Sequence, residues 1–213
     1  MNQNNVRIKV CGMREEMNIK SLTMQPIDYI GFIFYAKSPR YVSEESYEMI
    51  KSLVCCCKKT GVFVNENFEA IRSIVAACGL DAVQLHGNES PQFCNTVRSL
   101  GVEVFKVFSI EKPSDLLLCS DYTDVADLFL FDTKCIGHGG SGKKFDWSIL
   151  DHYTAEVPFL LSGGIGPEDY ESLLAYKHPK LYGVDLNSKF EITPAFKDIE
   201  TLSSFIHKLR HDE

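Results

Sequence analysis

No apolar run in this chain approaches the roughly 18 residues that a membrane-spanning helix needs. The opening MNQNNVRIKV has none of the long apolar centre of a secretory leader. Positive charge is scarce as well: 22 Lys and Arg against 29 Asp and Glu leave a net charge of −7. That balance argues against nucleic acid or an anionic membrane as partner of the whole surface, so an anionic ligand must be met by local cations and backbone donors. Eight cysteines are present, yet the framework of a short, loop-rich secreted protein is missing. VCCCKK (Cys55 to Cys57) has neither C-x-x-C spacing nor a nearby histidine, and several other cysteines sit inside apolar segments, where a thiol packs as a small hydrophobe. The expectation is a cytoplasmic globular protein with no metal site.

What is there is a recurring unit. Short β-rich runs, RIKVCG, YIGFIF, TGVFVN, AVQLHG, VEVFKVF, LFLFDTK, PFLLSGG and LYGVDLN, alternate with amphipathic stretches such as SEESYEMIKSLV, ENFEAIRSIVAACG, SPQFCNTVRSLG and GPEDYESLLAYK. The last stretch, FKDIETLSSFIHKLRH, sets Ile199, Leu202, Phe205, Ile206 and Leu209 on one helical face. Ser90-Pro91 and Pro167-Glu168 read as helix starts, and Gly79 and Gly101 as residues just past helix ends. The fifth unit, KPSDLLLCSDYTDVAD, is short and poorly periodic. Strands apolar nearly throughout mean a parallel sheet covered by helices. A doubly wound open sheet uses the same alternation, but eight units in 213 residues without a linker fit a (β/α)8 TIM barrel, one catalytic domain over 1–213, better.

In such barrels the active site lies at the carboxyl ends of the strands. Cys11, His86, Asp132 and Asp185 fall at those ends. Residues two apart share a strand face, so Lys9 accompanies Cys11, one layer below it, and a buried ammonium there would favour the thiolate.

With these residues placed, the chain resembles the phosphoribosylanthranilate isomerases of tryptophan biosynthesis. KVCGM, GFIFYAKSPRYV, GVFVN, VQLHGNESP, LFLFDTK, GGSGKKFDW, LSGGIGPED and GVDLNSKFE occur in the family's order nearly end to end. The resemblance implies an Amadori rearrangement of N-(5-phosphoribosyl)anthranilate to the 1-amino-1-deoxyribulose phosphate. It assigns Cys11 as the base at C2 and Asp132 as the acid at the ring oxygen. No metal or organic cofactor is implied, because the iminium formed on ring opening is itself the electron sink. An ordinary carboxyl is almost fully ionised at neutral pH, so Asp132 needs a raised pKa, for which the apolar LFLF offers desolvation.

The implied partner is a small anionic substrate carrying a phosphate and a carboxylate, and the implied assembly is a monomer or homodimer. Gly163, Gly164, Asn187 and Ser188, in the loops after strands seven and eight, would cup the phosphate. LNSKFE departs there from the family's small-residue pattern. Asp185 reads either as orienting loop donors or as a plain structural carboxylate. Arg40, in KSPRY, matches the arginine that holds the anthranilate carboxylate, the alternative being a solvated surface arginine. His86 reads as a hydrogen-bonded lining residue. GHGGSGKK (137–144) misses the P-loop pattern by one residue and reads as a flap over the substrate, with Asp146 capping the helix that follows.

Overall fold

A computed structural model describes residues 6–133 and 146–211. The glycine-rich GHGGSGKK, read as a flap, lies outside the described residues. Strands β1 (Arg7–Val10), β2 (Tyr29–Ile33), β3 (Lys58–Phe63), β4 (Ala82–Leu85), β5 (Glu103–Ile110), β6 (Leu128–Thr133), β7 (Phe159–Leu161) and β8 (Leu181–Leu186) follow one another in spatial order. All pair in parallel, and β8 pairs with β1, closing the ring. Among the described residues no helix is long and apolar enough to cross a membrane.

LFLFD shows how an unbroken apolar run encodes two faces. Leu128 and Leu130 turn into the lumen, where they pack with Tyr29, Ala82, Phe105, Val107 and Leu160. Phe129 and Phe131 turn outward into an aromatic cluster with Phe108, Tyr153 and Phe159. Asp132 is the next residue of lumen parity and stands at the upper rim.

The helices are α1 (Glu16–Thr23), α2 (Tyr47–Ser52), α3 (Phe68–Cys78), α4 (Pro91–Arg98), α5 (Tyr170–Ala175) and α6 (Ile199–His211). Asn67 caps α3 by accepting from Ala70 N (2.9 Å), and Ser90 caps α4 by accepting from Phe93 N (3.2 Å). On α6, Leu202, Phe205, Ile206 and Leu209 are buried against the barrel.

The expected one α-helix per strand fails in two units. Pro113–Tyr122 and Trp147–His152 are 3-10 stretches. The first has too little helical periodicity to bury one face. In the second, Asp146 does cap, accepting from Ser148 N at 3.0 Å, but after six residues the segment ends in an extended residue. After β8 comes a short 3-10 turn (Ser188–Phe190) and then an antiparallel hairpin, β9 (Glu191–Thr193) and β10 (Phe196–Lys197), before α6.

Candidate active site

Cys11 directly follows β1 at the barrel's carboxyl end and is 3% exposed. Its N–H donates to the Leu186 carbonyl of β8 (2.9 Å), while the N–H groups of Gly12 and Met13 both donate to the Gly31 carbonyl (3.0 Å). Gly31 was not among the candidate residues, although a glycine inside a strand is the signal of a close approach. A Cβ there would lie 2.7 Å from Cys11 Sγ, so the absent side chain is the space the thiol occupies. Gly12 (φ +79°) leaves the room of an absent side chain beside the thiol. That room is taken by the chain's own side chains, since a Cβ would meet Arg40 Cδ at 2.6 Å and Asn187 Oδ1 at 2.8 Å.

Lys9 is fully buried below the thiol, and its Nζ donates to Asp185 Oδ1 (2.8 Å). Asp185 also accepts from Ser162 Oγ (3.3 Å), so it bridges β1, β8 and the end of β7. Burial pulls the Lys9 ammonium down, but Asp185 and Cys11 outweigh it and hold the lysine above its ordinary range. The expected effect on Cys11 is present but loses. Burial pushes the thiol up, and Lys9 and Lys197 recover only part of that.

Across the lumen, Asp132 is 9% exposed. Its Oδ1 accepts from Thr133 N (2.8 Å) and its Oδ2 lies 3.5 Å from His86 Nε2. His86 thus lines the same opening, with Nδ1 3.3 Å from Gln84 Nε2. The loop carrying it is pinned from beneath by a buried ion pair that sequence reading passed over. Lys106 Nζ donates to Glu89 Oε2 (3.0 Å) and to the Leu85 and Gly87 carbonyls (3.1 and 2.8 Å), and Glu89 accepts from Asn65 N and Gly87 N.

Gly163 and Gly164 have φ of +88° and +72°. Gly163 packs so tightly on β6 that a Cβ would lie 2.3 Å from Thr133 Oγ1 and 2.9 Å from Asp132 Oδ1. The loop after β7 therefore touches the candidate acid as well as facing the candidate phosphate region.

Ser188 opens the 3-10 turn after β8, and Asn187 precedes it with its side-chain oxygen accepting from Lys197 Nζ (2.7 Å). Arg40 is 9% exposed, which corrects the solvated-surface alternative. Its Nε donates to both oxygens of Glu191 (2.8 and 3.1 Å) and its Nη2 donates to Oε2 (2.6 Å). Lys197 Nζ donates to the same carboxylate (2.8 Å). Glu191 is held below the usual carboxylate range, because the Arg40 and Lys197 cations outweigh its burial. Burial pulls Lys197 down to about 8 in spite of Glu191. Nothing in FEITPAFK signalled either residue, since their role exists only once the hairpin folds over the rim.

Of the candidate residues, Cys11, Arg40, Asp185 and Asn187 thus stand on the β1–β8 side, and His86, Asp132 and Gly163 on the β4–β6–β7 side of one rim. Asp185, Ser162 and Gly163 connect the two sides. Among the described residues no group of three or more His, Cys, Asp or Glu is arranged to hold a metal ion.

Fold and rim together define a (β/α)8-barrel enzyme with its polar groups gathered at one end. The model of the family PRAI, N-(5'phosphoribosyl)anthranilate (PRA) isomerase, matches residues 8–208, and the chain belongs to that family. The N-(5'-phosphoribosyl)anthranilate isomerase of Parabacteroides distasonis is 47% identical over 206 residues, covering 96% of this chain and 93% of the relative. Monomers of the dimeric Thermotoga maritima isomerase superpose with TM-score 0.81 at 31% identity, covering 96% of this chain and 98% of theirs. An isomerase in complex with reduced 1-(o-carboxyphenylamino)-1-deoxyribulose 5-phosphate superposes with TM-score 0.81 at 30% identity and the same coverage.

Proposed function

We infer that this chain catalyses the Amadori rearrangement of N-(5-phosphoribosyl)anthranilate to 1-(2-carboxyphenylamino)-1-deoxyribulose 5-phosphate in tryptophan biosynthesis, acting as one barrel domain. Family membership supports the activity. The observation that carries the roles is the thiol of Cys11 and the carboxyl of Asp132 on opposite sides of one rim, linked through Lys9, Asp185, Ser162 and Gly163.

In this reading Asp132 gives its proton to the furanose ring oxygen. The C1–O bond breaks as the anthranilate nitrogen lone pair forms the iminium. Cys11, as thiolate, removes the proton from C2, and those electrons neutralise the iminium to an enolamine, which tautomerises to the ketone. Burial works against the thiolate that this step needs, and the Lys9 and Lys197 cations oppose it in part. His86, 3.5 Å from Asp132, lines the acid side. Gly163, Gly164, Asn187 and Ser188 receive the phosphate, Asp185 holds the Lys9 ammonium beneath the thiol, and Arg40 receives the anthranilate carboxylate. The reaction needs neither metal nor organic cofactor.

The expected compartment is the cytoplasm, and the expected assembly is a monomer or homodimer, the latter supported by the dimeric Thermotoga relative. The test is fluorescence decay of freshly made phosphoribosylanthranilate. Cys11→Ala and Asp132→Asn should each slow decay by about 10²- to 10⁴-fold while binding of the reduced product survives. Equal decay in wild type and both variants would end the assignment.

A further inference from the structure

The guanidinium of Arg40 does not face the opening unaided. Of its five N–H donors, Glu191 takes the one on Nε and one of the two on Nη2. Among the described residues Nη1 has no hydrogen-bond partner. One N–H on each terminal nitrogen, the end-on pair of the fork, is therefore left for a second planar two-oxygen group. The side-on pair is already occupied.

Glu191 is itself immobilised. Oε1 also accepts from Lys197 Nζ (2.8 Å) and from the N–H of Ala195 (3.1 Å) within the hairpin. Lys197 is fixed to α1 on both sides of its backbone: its N–H donates to Asn18 Oδ1 (2.8 Å) and its carbonyl accepts from Asn18 Nδ2 (2.9 Å). Its ammonium also holds Asn187 Oδ1 (2.7 Å), which with Arg40 Cδ fills the space over Gly12, next to the thiol. The carboxylate thus gathers two cations and aims one of them.

We propose that Glu191 is the positioning residue for recognition of the substrate's aromatic carboxylate, holding the side-on edge of Arg40 so that its end-on edge meets that group. The proposal rests on the reading of Arg40 above. It predicts selectivity, not merely stability: Glu191 discriminates between ligands with and without the carboxylate, although it touches neither.

The test is calorimetric titration with two probes, reduced 1-(o-carboxyphenylamino)-1-deoxyribulose 5-phosphate and its phenylamino counterpart, which lacks the carboxylate. Glu191→Gln should weaken the first about tenfold and leave the second within about twofold. Arg40→Met should abolish the difference between the probes, Arg40→Lys should not restore it, and Glu191→Gln added to Arg40→Met should change nothing further. If Glu191→Gln weakens both probes alike, or neither, while Arg40→Met removes discrimination, the positioning role is overturned and the Arg40 reading stands. If Arg40→Met does not remove discrimination, both fall. Thermal unfolding is read alongside. Should Glu191→Gln fail to fold, Glu191→Asp keeps the charge but draws the fork aside, and the same selective loss is expected; its absence overturns the proposal.

Discussion

Carboxylates serve both ends of this barrel, and they are satisfied differently. At the amino ends of the strands, Asp28, Asp81 and Asp127 each stand immediately before an even-numbered strand. Each accepts the backbone N–H of a residue in the preceding strand, Ile8, Lys59 and Val104, at 2.8 Å. Each returns its own N–H to that residue's carbonyl at 2.8 to 2.9 Å. The cations beside them, Arg7 and Arg210 at Asp28 and Arg98 at Asp127, are partly exposed. At the carboxyl ends, Glu89, Asp185 and Glu191 hold instead the buried cations Lys106, Lys9, Arg40 and Lys197, with backbone donors added at Glu89 and Glu191. Backbone donors cannot be re-aimed, so the lower end clamps strand to strand. Side-chain cations present several donors each and can share them with a ligand, so the upper end can hold chemistry.

The largest effect expected from this contrast is at Lys9. Lys9→Met leaves Asp185 buried without its cation and should cost about 3–5 kcal/mol in urea unfolding. It should also raise the midpoint of Cys11 alkylation against pH, because a cation that favours the thiolate is gone and an uncompensated carboxylate remains. A midpoint that fell or stayed put would contradict the electrostatics assigned to the thiol.

Next is Gly31→Ala, where the new methyl competes with Cys11 Sγ for the same space. Displacing a reacting group by the order of an ångström should lower kcat about a hundredfold with the fold retained. Wild-type turnover would remove Gly31 from the site.

At the lower end, Asp127→Ala strands the Val104 N–H and should cost about 1–3 kcal/mol of stability with turnover per folded molecule unchanged. A fall in kcat there would break the division between the two ends. The smallest change is Arg98→Ala, which removes the half-exposed partner of Asp127 and an exposed hydrogen bond to the Asp124 carbonyl. It should shift stability by less than about 1 kcal/mol. A loss equal to that of Asp127→Ala would mean that the ion pair, not the backbone bond, is what Asp127 contributes.

Most of the architecture was legible because it is written locally. LFLFD alternates between lumen and shell, Ser90 caps the helix it precedes, and Asp132 arrives at the rim by parity alone. The fifth and sixth units departed from the pattern because KPSDLLLCSDY and WSILDH lack the apolar spacing that stabilises a longer helix, so they settle into 3-10 turns. Cys11, His86, Asp132 and Asp185 were readable as strand-end residues. Gly31, Glu191, Lys197 and the Lys106–Glu89 pair were not singled out, since each owes its role to a neighbour many residues away.

The order of the residues by itself determined a parallel α/β ring, the thiol and carboxyl at its strand ends, and the family to which the chain belongs, because periodicity, caps and motif spacing act over a few residues. Only the tertiary structure decided that burial overrules Lys9 at the thiol, and that Arg40 is bound from behind by Glu191. Desolvation and ion pairing depend on what the closed barrel brings within a few ångströms, and neither can be read from spacing along the chain.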